Sequence, residues 1–259
     1  MIFHDATGQS FDNQKVYRRL VSLFPSQTHL LHSLGLDEQV LGITRFCKYP
    51  SGWKKQKTVV GGTKDPKIER ILALNPDLVL ANKEENTREA VETLRRHVPV
   101  YVSEVVSWED NLRWVEHIGL LTGRQQQART LIGQLENRRR NFRPPSGPVD
   151  AIYLIWRNPW MAAGQNTFIN TMLRLAGFNN VVTQERYPVL NARQMQALNP
   201  HVVLLSSEPF PFKAPHADEL RAILPQARFL FVQGEPFTWM GSYPLQSFDY
   251  FAKLHENLT

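Results

Sequence analysis

The hydrophobic pattern of the chain occurs twice, 124 residues apart. Residues 73–85 and residues 197–209 both begin with Ala-Leu-Asn-Pro, continue with an apolar run and end in a polar loop that contains a glutamate. Because a proline disfavours the helical conformation of the residue before it, Asn-Pro marks a turn after a helix. An apolar run without polar alternation is typical of a strand covered on both faces, as in a parallel sheet. The repeat therefore predicts two similar α/β units.

Further apolar runs predict the strands that accompany each copy. In the first half they are residues 19–23, 40–44, 59–60 and 98–102, and in the second half residues 151–155 and 229–232. Residues 2–11 surround an Ala-Thr-Gly-Gln turn and predict a small hairpin. Ser26 is a candidate cap for the first helix, which ends at Gly35, and the matching helix of the second half ends at Gly177.

A long helical region separates the two halves. It opens at Ser107-Trp108-Glu109-Asp110, which resembles a capping box, and runs to about residue 142 with a break at Thr122-Gly123. The proline-rich residues 143–148 end it. We therefore predict three parts: an N-terminal α/β lobe over residues 1–122, a linker helix over residues 123–143 and a C-terminal α/β lobe over residues 144–259.

Composition and charge narrow the class of protein. The chain is 42% hydrophobic and 21% charged, which is ordinary for a globular protein with a sizeable core. The net charge of +6 suits an anionic ligand or surface, but the densest basic run, Arg138-Arg139-Arg140 with Arg143, falls where a long helix should end. Cations there complement the helix dipole. With no aromatic-studded basic motif, the sequence gives no support to nucleic-acid binding.

Targeting features are sparse. Cys47 is the single cysteine, so no internal disulfide can form and the redox compartment stays open. The first apolar run, residues 20–24, is too short for a signal sequence, and Cys47 lies too far along the chain for a lipoprotein anchor. No apolar stretch approaches the roughly 20 residues of a membrane span. The sequence as given therefore favours a cytoplasmic location unless a leader precedes it.

Candidate chemistry lies in the loops after the predicted strands, because ligands of parallel α/β sheets bind beyond the carboxyl ends of the strands. These loops are residues 24–27, 46–53, 83–86, 156–161, 207–212 and 237–239. They hold four of the six tryptophans and several phenylalanines, beside prolines and charges. A core role is the default for a single aromatic residue, but this concentration in loops favours a broad aromatic cleft.

Signatures of catalysis are mostly missing. No G-x-S-x-G elbow, P-loop or G-x-G-x-x-G motif occurs in the sequence. Glu84 and Glu85 are adjacent, and neighbours in sequence rarely point at one reacting atom. His29 and His32 have a chelating i, i+3 spacing, but no third ligand is evident, so surface or groove histidines are favoured over a metal site. We therefore expect a binding protein without a cofactor or metal of its own, and not an enzyme.

Two segments carry a family resemblance. The first is Arg19-Leu20-Val21-Ser22-Leu23-Phe24-Pro25-Ser26-Gln27-Thr28, followed by Leu34-Gly35. The second comprises Val60-Gly61-Gly62-Thr63, Pro66, Glu69, Ile71 and Leu74-Asn75-Pro76-Asp77-Leu78-Val79. Together they resemble the two signatures of the substrate-binding proteins of ABC importers for cobalamin and iron–siderophores, and the resemblance covers nearly the whole chain. It implies two Rossmann-like lobes with mainly parallel sheets, joined by a single long α-helix, and a ligand cleft between the lobes that holds a metal chelate.

The same resemblance implies a protein partner. In the family, one glutamate on each lobe docks against arginines of the ABC permease, and Glu69 matches the first of these glutamates. The equivalent position of the repeat is Arg193, whose charge opposes docking to an arginine. His29 also departs from the pattern, since the family has a glutamate at that position. These departures bear on the transport role and leave ligand binding intact.

The loop positions and the resemblance together give a set of candidate ligand-binding residues. They are Phe24, Ser26, Phe46, Trp53, Thr63, Lys83, Glu84, Asn86, Trp156, Arg157, Trp160, Arg186, Tyr187, Glu208, Phe210, Phe212, Phe237 and Trp239. The aromatic members would pack the organic body of the ligand. Arg157 and Arg186 would meet its carboxylates or phosphate, and residues 83–86 would set its orientation. A structural ion pair is an equal alternative for Arg186, and a capping or loop-ordering role for Glu208.

The leading hypothesis is a monomeric, non-enzymatic binding protein for a bulky organic metal complex, cobalamin-like or ferric siderophore-like. The resemblance would place it in the periplasm beside an ABC permease, whereas the lack of a visible leader favours the cytoplasm. The alternative is a cytosolic carrier, chelatase or enzyme that acts on a tetrapyrrole or a metal. It rests on fold analogy and would require a titratable residue at the site, with His29 or Glu84 as first candidates.

Overall fold

The first half of the chain folds around a five-stranded parallel sheet. The computed structural model describes residues 2–144 and 147–256. The elements of the first half are β1 (Ile2–His4), β2 (Ser10–Asp12), β3 (Leu20–Ser22), α1 (Pro25–Ser33), β4 (Val40–Ile43), α2 (Trp53–Gln56), β5 (Thr58–Val59), α3 (Ile68–Ala73), β6 (Leu78–Asn82), α4 (Arg88–Arg95) and β7 (Val100–Ser103). The strand order is β5-β4-β3-β6-β7, and all neighbouring pairs are parallel. β1 and β2 form the separate antiparallel hairpin that the sequence predicts.

Two helices follow the first sheet. They are α5 (Trp108–Thr122) and α6 (Gln125–Asn141), and they are separated at the predicted break. Ala128, Leu131 and Leu135 of α6 are buried, whereas most of the remaining helix surface is polar. The helix is therefore amphipathic in the way that its sequence predicts.

The basic run ends α6 and has partners of its own. Arg138 forms an ion pair with Asp249, and the guanidinium carbon of Arg139 lies 5.5 Å from the ring centre of Trp108. Cations in the last turn of a helix are also favoured by its dipole. These contacts support the structural interpretation of the run.

The second half folds around a sheet of the same kind. Its elements are β8 (Val149–Trp156), β9 (Met161–Ala162), α7 (Phe168–Leu175), β10 (Phe178–Asn180), α8 (Ala192–Leu198), β11 (Val202–Ser206), α9 (Ala214–Ile223), β12 (Arg228–Val232), α10 (Glu235–Thr238) and α11 (Pro244–Glu256). The parallel strands lie in the order β10-β8-β11-β12, and β9 pairs antiparallel with β8. β10, β8, β11 and β12 thus take the places that β4, β3, β6 and β7 have in the first sheet.

The two repeated apolar runs are central strands, as predicted. All five residues of β6 and all five of β11 are buried. Val79 and Ala81 belong to the core of the first half, and Val203 and Leu205 belong to the core of the second. Burial on both faces explains why neither run alternates with polar residues.

The Asn-Pro turns of the repeat have a common backbone conformation. Asn75 and Asn199 both lie in the left-handed region, with φ of 47° and 43°. Asparagine tolerates this region better than most residues, which explains its presence before both prolines. In the first copy the Asp77 carboxylate also accepts the backbone N–H groups of Arg18 and Arg19, at 2.8 and 2.9 Å. The first turn is therefore tied to the start of β3.

The helix ends agree with the prediction, but one helix start does not. α1 and α7 are followed by Gly35 and Gly177, whose φ values of +71° and +87° favour glycine. Ser26 was predicted to cap α1, but the helix begins one residue earlier, at Pro25, and Phe24 occupies the cap position without a side-chain hydrogen bond. Proline suits the first helical position because its missing N–H group has no partner there. Ser26 is instead buried in the first turn.

The described chain forms two compact units, and each of them consists of several separate segments of the sequence. The first unit comprises the chain up to Val105, Glu109–Glu136 and Met240–Tyr243, and the second comprises Val106–Trp108, Asn137–Trp239 and the chain from Pro244 on. Pro145 and Ser146 of the predicted boundary segment lie outside the described residues. The predicted limits of the lobes and linker stay a prediction.

Residues 240–243 are fastened within the first unit. The Gly241 N–H group donates to Asn111 Oδ1 at 2.6 Å, and Asn111 Nδ2 donates to the Gly241 carbonyl at 3.2 Å. Ser242 Oγ lies 2.8 Å from Ser33 Oγ. Because the Asn111 side chain is fully buried, this segment satisfies an amide that would otherwise lack partners.

The helices are short or amphipathic. Within residues 2–144 and 147–256, none is both long enough and apolar enough to cross a bilayer.

Candidate functional site

In the first unit, a buried asparagine ties together three of the loops that follow parallel strands. Asn86 Nδ2 donates to the carbonyl oxygens of Leu23 and Thr63, at 3.3 and 2.8 Å, and Asn86 Oδ1 accepts the backbone N–H of Asn82 at 2.8 Å. Leu23 follows β3, Thr63 follows β5 and Asn86 follows β6. Asn86 and Thr63 were predicted to contact ligand, but both are buried, and the Asn86 amide is used to hold the loops.

The loop after β6 is ordered by a second asparagine. Asn82 Oδ1 accepts the backbone N–H groups of Glu84 and Glu85, at 2.9 and 3.2 Å. Lys83 is exposed, and its Nζ lies 2.8 Å from Glu104 Oε2. Glu84 is half-buried. The main chain of this loop is therefore fixed, and Lys83 is the predicted residue that it exposes most.

Two predicted residues at the start of α1 are packed inside the first unit. Phe24 is only 1% exposed, and its ring stacks on Trp114 with 5.7 Å between ring centres. Ser26, two residues further along the chain, is also buried. Both side chains are therefore packed beneath the loop, and their contact with a ligand stays a prediction.

The aromatic residues that follow β4 differ in exposure. Phe46 and Tyr49 are 49% and 47% exposed, whereas Trp53 is only 4% exposed. The Trp53 ring meets the His32 ring edge-on at 5.7 Å. Trp53 is therefore structural and Phe46 available, and Tyr49 is an exposed aromatic residue that the sequence analysis missed. Its position between Phe46 and Trp53, next to Pro50, was the signal for it.

Four predicted aromatic residues of the second unit lie together. This aromatic cluster consists of Trp156, Trp160, Phe210 and Phe212. Ring centres are 5.6 Å apart for Trp156 and Phe210, 4.9 Å for Phe210 and Phe212, and 6.2 Å for the stacked pair Trp160 and Phe212. Trp156 is 40% exposed and Phe212 is buried. His216, which was not predicted, packs against Phe210 at 5.1 Å.

The arginine of this cluster is already ion-paired. Arg157 Nε lies 2.8 Å from Glu219 Oε2, and Nη2 bonds to the same oxygen. Its guanidinium carbon lies 5.0 Å from the ring centre of Trp160. Arg157 was predicted to meet ligand carboxylates, but its fork is directed to Glu219. The partner lies 62 residues away in α9, so the pattern around Arg157 gave no sign of it.

Arg186 and Tyr187 lie on a loop that is anchored by its backbone. Arg186 adopts a φ of 63°, and it exchanges backbone hydrogen bonds with Gly164 and Gln165, at 2.8 and 2.7 Å. Its side chain donates to the carbonyl oxygen of Asn166 at 3.0 Å. Both predicted residues are half-buried, and the guanidinium carbon lies 5.9 Å from the centre of the Tyr187 ring.

Glu208 bonds to two neighbouring side chains of the second unit, in agreement with the loop-ordering role that was its alternative. Its Oε1 accepts Thr238 Oγ1 and Trp239 Nε1, both at 3.1 Å. A Cβ atom added at Gly234 would lie 2.3 Å from Glu208 Cγ, so only glycine lets the two loops approach. Phe237 and Trp239 are buried. Phe237, Trp239 and the bonded Glu208 carboxylate thus hold the loops together, and their contact with a ligand stays a prediction.

The two histidines of α1 do not converge on a metal. His29 Nδ1 lies 2.8 Å from Ser242 Oγ, while His32 Nδ1 lies 2.8 Å from Asp37 Oδ1. Burial, with a smaller contribution from His32, lowers the pKa of His29 to about 4, so its imidazole is neutral at pH 7. Among the residues that the structure describes, no group of three or more His, Cys, Asp and Glu side chains is placed to hold a metal ion.

Glu69 and Arg193 occupy the same place in the two units. Each is the second residue of its helix, α3 or α8, and each is exposed. Glu69 lines an open surface groove of about 540 Å³ together with Lys67 and Arg70. The charge reversal predicted from the repeat is therefore a reversal at structurally matched, accessible positions.

The comparisons with known proteins identify the family. The model of the family described as "Periplasmic binding protein" matches residues 20–222, and the chain belongs to this family. An uncharacterized ABC transporter substrate-binding lipoprotein of Bacillus subtilis is 24% identical over 212 residues, which are 77% of this chain and 67% of the relative. A vitamin B12-binding protein of Yersinia pestis is 24% identical over 194 residues, covering 73% of this chain and 69% of the relative.

Solved structures share the fold. The periplasmic vitamin B12-binding protein of Vibrio cholerae superposes with a TM-score of 0.76 at 18% identity, covering 93% of this chain and 97% of that protein. An ABC-type Fe3+-hydroxamate transport protein of Saccharomonospora viridis gives a TM-score of 0.75 at 19% identity, with 98% of both chains covered. The resemblance and the two-unit α/β fold class predicted from the sequence are confirmed. The family consists of substrate-binding transport proteins rather than enzymes.

Proposed function

We propose that the chain is the substrate-binding protein of an ABC importer and that it binds a bulky organic metal complex, cobalamin-like or ferric siderophore-like. The observation that carries this proposal is the exposure of aromatic rings at and after the carboxyl ends of parallel strands. Phe46 and Tyr49 supply them in the first unit, and Trp156, at the end of β8, supplies them in the second with the half-buried Trp160 and Phe210. Related proteins of the family bind vitamin B12, heme or Fe3+-hydroxamates, all of which are large organic metal complexes.

The chemistry of these rings suits such ligands. An aromatic side chain buries about 150–250 Å² when covered, and apolar area removed from water contributes about 25 cal/mol per Å². Rings held by their neighbours, as Phe210 is held by Phe212, lose little conformational entropy when a ligand covers them. A rigid aromatic surface therefore favours a large, partly apolar ligand over a small ion.

We assign direct contact to the predicted residues that remain accessible. They are Phe46, Lys83, Glu84, Trp156, Arg157, Trp160, Arg186, Tyr187 and Phe210, joined by Tyr49. Phe24, Ser26, Trp53, Thr63, Asn86, Glu208, Phe212, Phe237 and Trp239 support these loops from beneath. Substitutions can distinguish the two groups, because loss of a contact residue should weaken ligand binding and loss of a supporting residue should lower stability.

The test is ligand binding by the purified chain. Cyanocobalamin, hemin and a ferric trihydroxamate are added separately, and thermal unfolding and calorimetric heat are measured. A true ligand raises the unfolding free energy by about 2.7 kcal/mol at a concentration of 100 times its Kd. Trp156→Ala and Phe46→Ala should each weaken binding about tenfold or more. Phe231→Ala is the matched control, because Phe231 is half exposed on β12 and outside the candidate loops. No heat and no stabilisation with any of the probes would refute the proposal.

Docking to the permease is a separate part of the proposal. We assign Glu69 to a basic site on the permease and Arg193 to an acidic one, because complementary charges are needed at matched docking positions. Glu69→Lys and Arg193→Glu should each reduce the affinity for the permease in detergent while leaving ligand affinity unchanged. A higher affinity of Arg193→Glu for the permease would show instead that the partner presents a basic site to both units. Recovery of the native protein from the cytosol would contradict the importer role and favour a carrier.

A further inference from the structure

In the first unit, the guanidinium beside the exposed aromatic residue is neutralised by a neighbouring carboxylate. Arg45 Nη2 lies 3.0 Å from Asp65 Oδ1, and Nη1 lies 3.3 Å from Asp65 Oδ2, so the two groups form a fork-to-fork pair. The guanidinium carbon also lies 5.0 Å from the ring centre of Phe46. The carboxylate thus occupies the geometry in which an arginine binds an anionic ligand.

The second unit repeats this arrangement with different residues. Arg157 lies over the Trp160 ring, and its Nε and Nη2 both bond to Glu219. Neither Arg157 nor Glu219 belongs to the part of the sequence that repeats, so the two arginine–carboxylate pairs do not follow from the internal repeat. Each unit therefore places a cation, an aromatic ring and a compensating carboxylate side by side.

Lys83, in the loop after β6, is paired as well. Lys83 Nζ lies 2.8 Å from Glu104 Oε2, in the loop after β7. With Arg45, which directly precedes the loop of residues 46–53, and Arg157, this makes three basic side chains in or next to the candidate loops whose charge is balanced within their own unit. An anionic ligand that approaches them meets an ion pair of zero net charge, and it must displace a carboxylate or lie beside one at a cost in free energy.

We propose that the protein selects metal complexes of low net charge that carry uncharged hydrogen-bonding groups, and that Asp65, Glu219 and Glu104 are the residues that exclude polyanionic chelates. This proposal rests on the proposed function and narrows its ligand class. The overall charge of +6 does not oppose it, because the charge that decides selectivity is the one next to the bound ligand. Aromatic faces beside charge-balanced pairs favour a neutral macrocycle or trihydroxamate over a dicarboxylate or a catecholate.

Two further lysines near the candidate loops have to be tested separately as possible partners of an anionic ligand. Lys54 and Lys55 lie on α2, directly after Trp53, and they are exposed. An ammonium group is a compact point charge without the fork that matches a carboxylate. If the three ion pairs determine ligand choice, Lys54 and Lys55 do not.

The first experiment compares probes of different charge on the wild-type chain. Cyanocobalamin and a ferric trihydroxamate are the probes without strong negative charge, and hemin and a ferric tris-catecholate are the anionic probes. Calorimetry at physiological ionic strength should give at least one of the former a Kd about tenfold or more below both anionic probes. Tighter binding of an anionic probe overturns this inference and leaves the proposed function intact. Failure of all four probes overturns both.

The second experiment removes the compensating charges. Asp65→Asn and Glu219→Gln free Arg45 and Arg157, and each should tighten binding of the anionic probes about fivefold while changing the affinity for the preferred probe by less than about twofold. Asp218→Asn is the matched control for Glu219→Gln, because it removes the same charge from the adjacent residue, whose partner is Arg221. Glu92→Gln, which releases Arg88, is the control for Asp65→Asn.

Thermal unfolding of every variant shows whether it is folded, so that a change in ligand affinity can be assigned to the substituted charge. Equal gains in the controls and in the two test variants would show a general effect of net charge and would overturn the role of the two carboxylates. Anionic binding that is lost in Lys54→Gln or Lys55→Gln would assign ligand charge recognition to α2 and would also overturn it. Gains confined to Asp65→Asn and Glu219→Gln support it.

Discussion

The two sheets have the same strand order, but their corresponding outer strands are secured differently. In the first unit all residues of β7 are buried, and the Val102 N–H group donates to Asp5 Oδ2 at 3.0 Å, next to the N-terminal hairpin. In the second unit β12 has no further strand beside it among the described residues, and Phe231 is half exposed. The outer strand of the first unit is thus fastened by a buried carboxylate, whereas the chain directly after β12 is held by the Gln233 N–H group, which donates to the Tyr250 hydroxyl at 2.9 Å.

Asp5 gives the largest expected difference. Its side chain is fully buried and accepts Arg95 Nη2 at 2.8 Å, besides Val102. Asp5→Ala should lower the free energy of unfolding by about 3–5 kcal/mol, because Arg95 loses its carboxylate and the outer strand loses its acceptor. Chemical denaturation followed by circular dichroism measures it. Asp249→Ala, which breaks the exposed pair with Arg138 in the second unit, is the control, with about 0–1 kcal/mol. Similar losses in both variants would contradict the comparison.

The next effect is a pH dependence that originates in the first unit. Burial lowers the pKa of both His29 and His117 to about 4, from about 6.5 in an unfolded chain. Between these values the unfolded chain binds protons that the folded unit does not, so stability falls as the pH drops from 6.5 towards 4. The loss amounts to at most about 3 kcal/mol for His29 and less for the more exposed His117. When denaturation is measured at several pH values, the free energy of unfolding should fall less steeply with decreasing pH in the double variant His29→Gln/His117→Gln than in the wild type. An unchanged slope would assign the effect to other groups.

The smallest effect compares the two turns of the repeat. Asp77 accepts two backbone N–H groups at the start of β3, whereas His201, at the same place in the second copy, contacts its neighbours through its backbone, with a bond from its N–H to Asp150. Asp77→Ala should cost about 2 kcal/mol of stability, since hydrogen bonds to charged groups are stronger than neutral ones. His201→Ala should cost less than about 0.5 kcal/mol, as an exposed side chain without such a role. Thermal unfolding distinguishes the two, and equal values would remove the distinction between the turns.

The architecture was open to prediction because it rests on a local signal. β6 and β11 are buried on both faces, and their apolar runs record this directly in the sequence. Gly35 and Gly177 mark the ends of corresponding helices for the same reason, since a left-handed residue after a helix is usually glycine. Such features depend on neighbours in the chain, so a single sequence reveals them.

The candidate site was predictable only in outline because its details depend on distant residues. Phe46 and Trp53 lie seven residues apart between β4 and the first turn of α2, yet one ring is exposed and the other is packed against His32. Nothing in the loop sequence decides which ring turns inward. Asn86 likewise bonds to Leu23 and Thr63, which are 63 and 23 residues away. Long-range partners of this kind, and the carboxylate that neutralises Arg157, become visible only in three dimensions.

The bonds between Asn111 and Gly241 have a consequence for dissecting the molecule. A gene fragment that stops after α6 would encode most of the first unit but would omit residues 240–243. The buried Asn111 amide would then lose both hydrogen bonds, and Ser33 and His29 would lose their contact with Ser242. An isolated first unit therefore requires these four residues to be supplied, either by fusing them through a flexible linker or by adding them as a peptide. The first compact unit is thus not one continuous stretch of sequence.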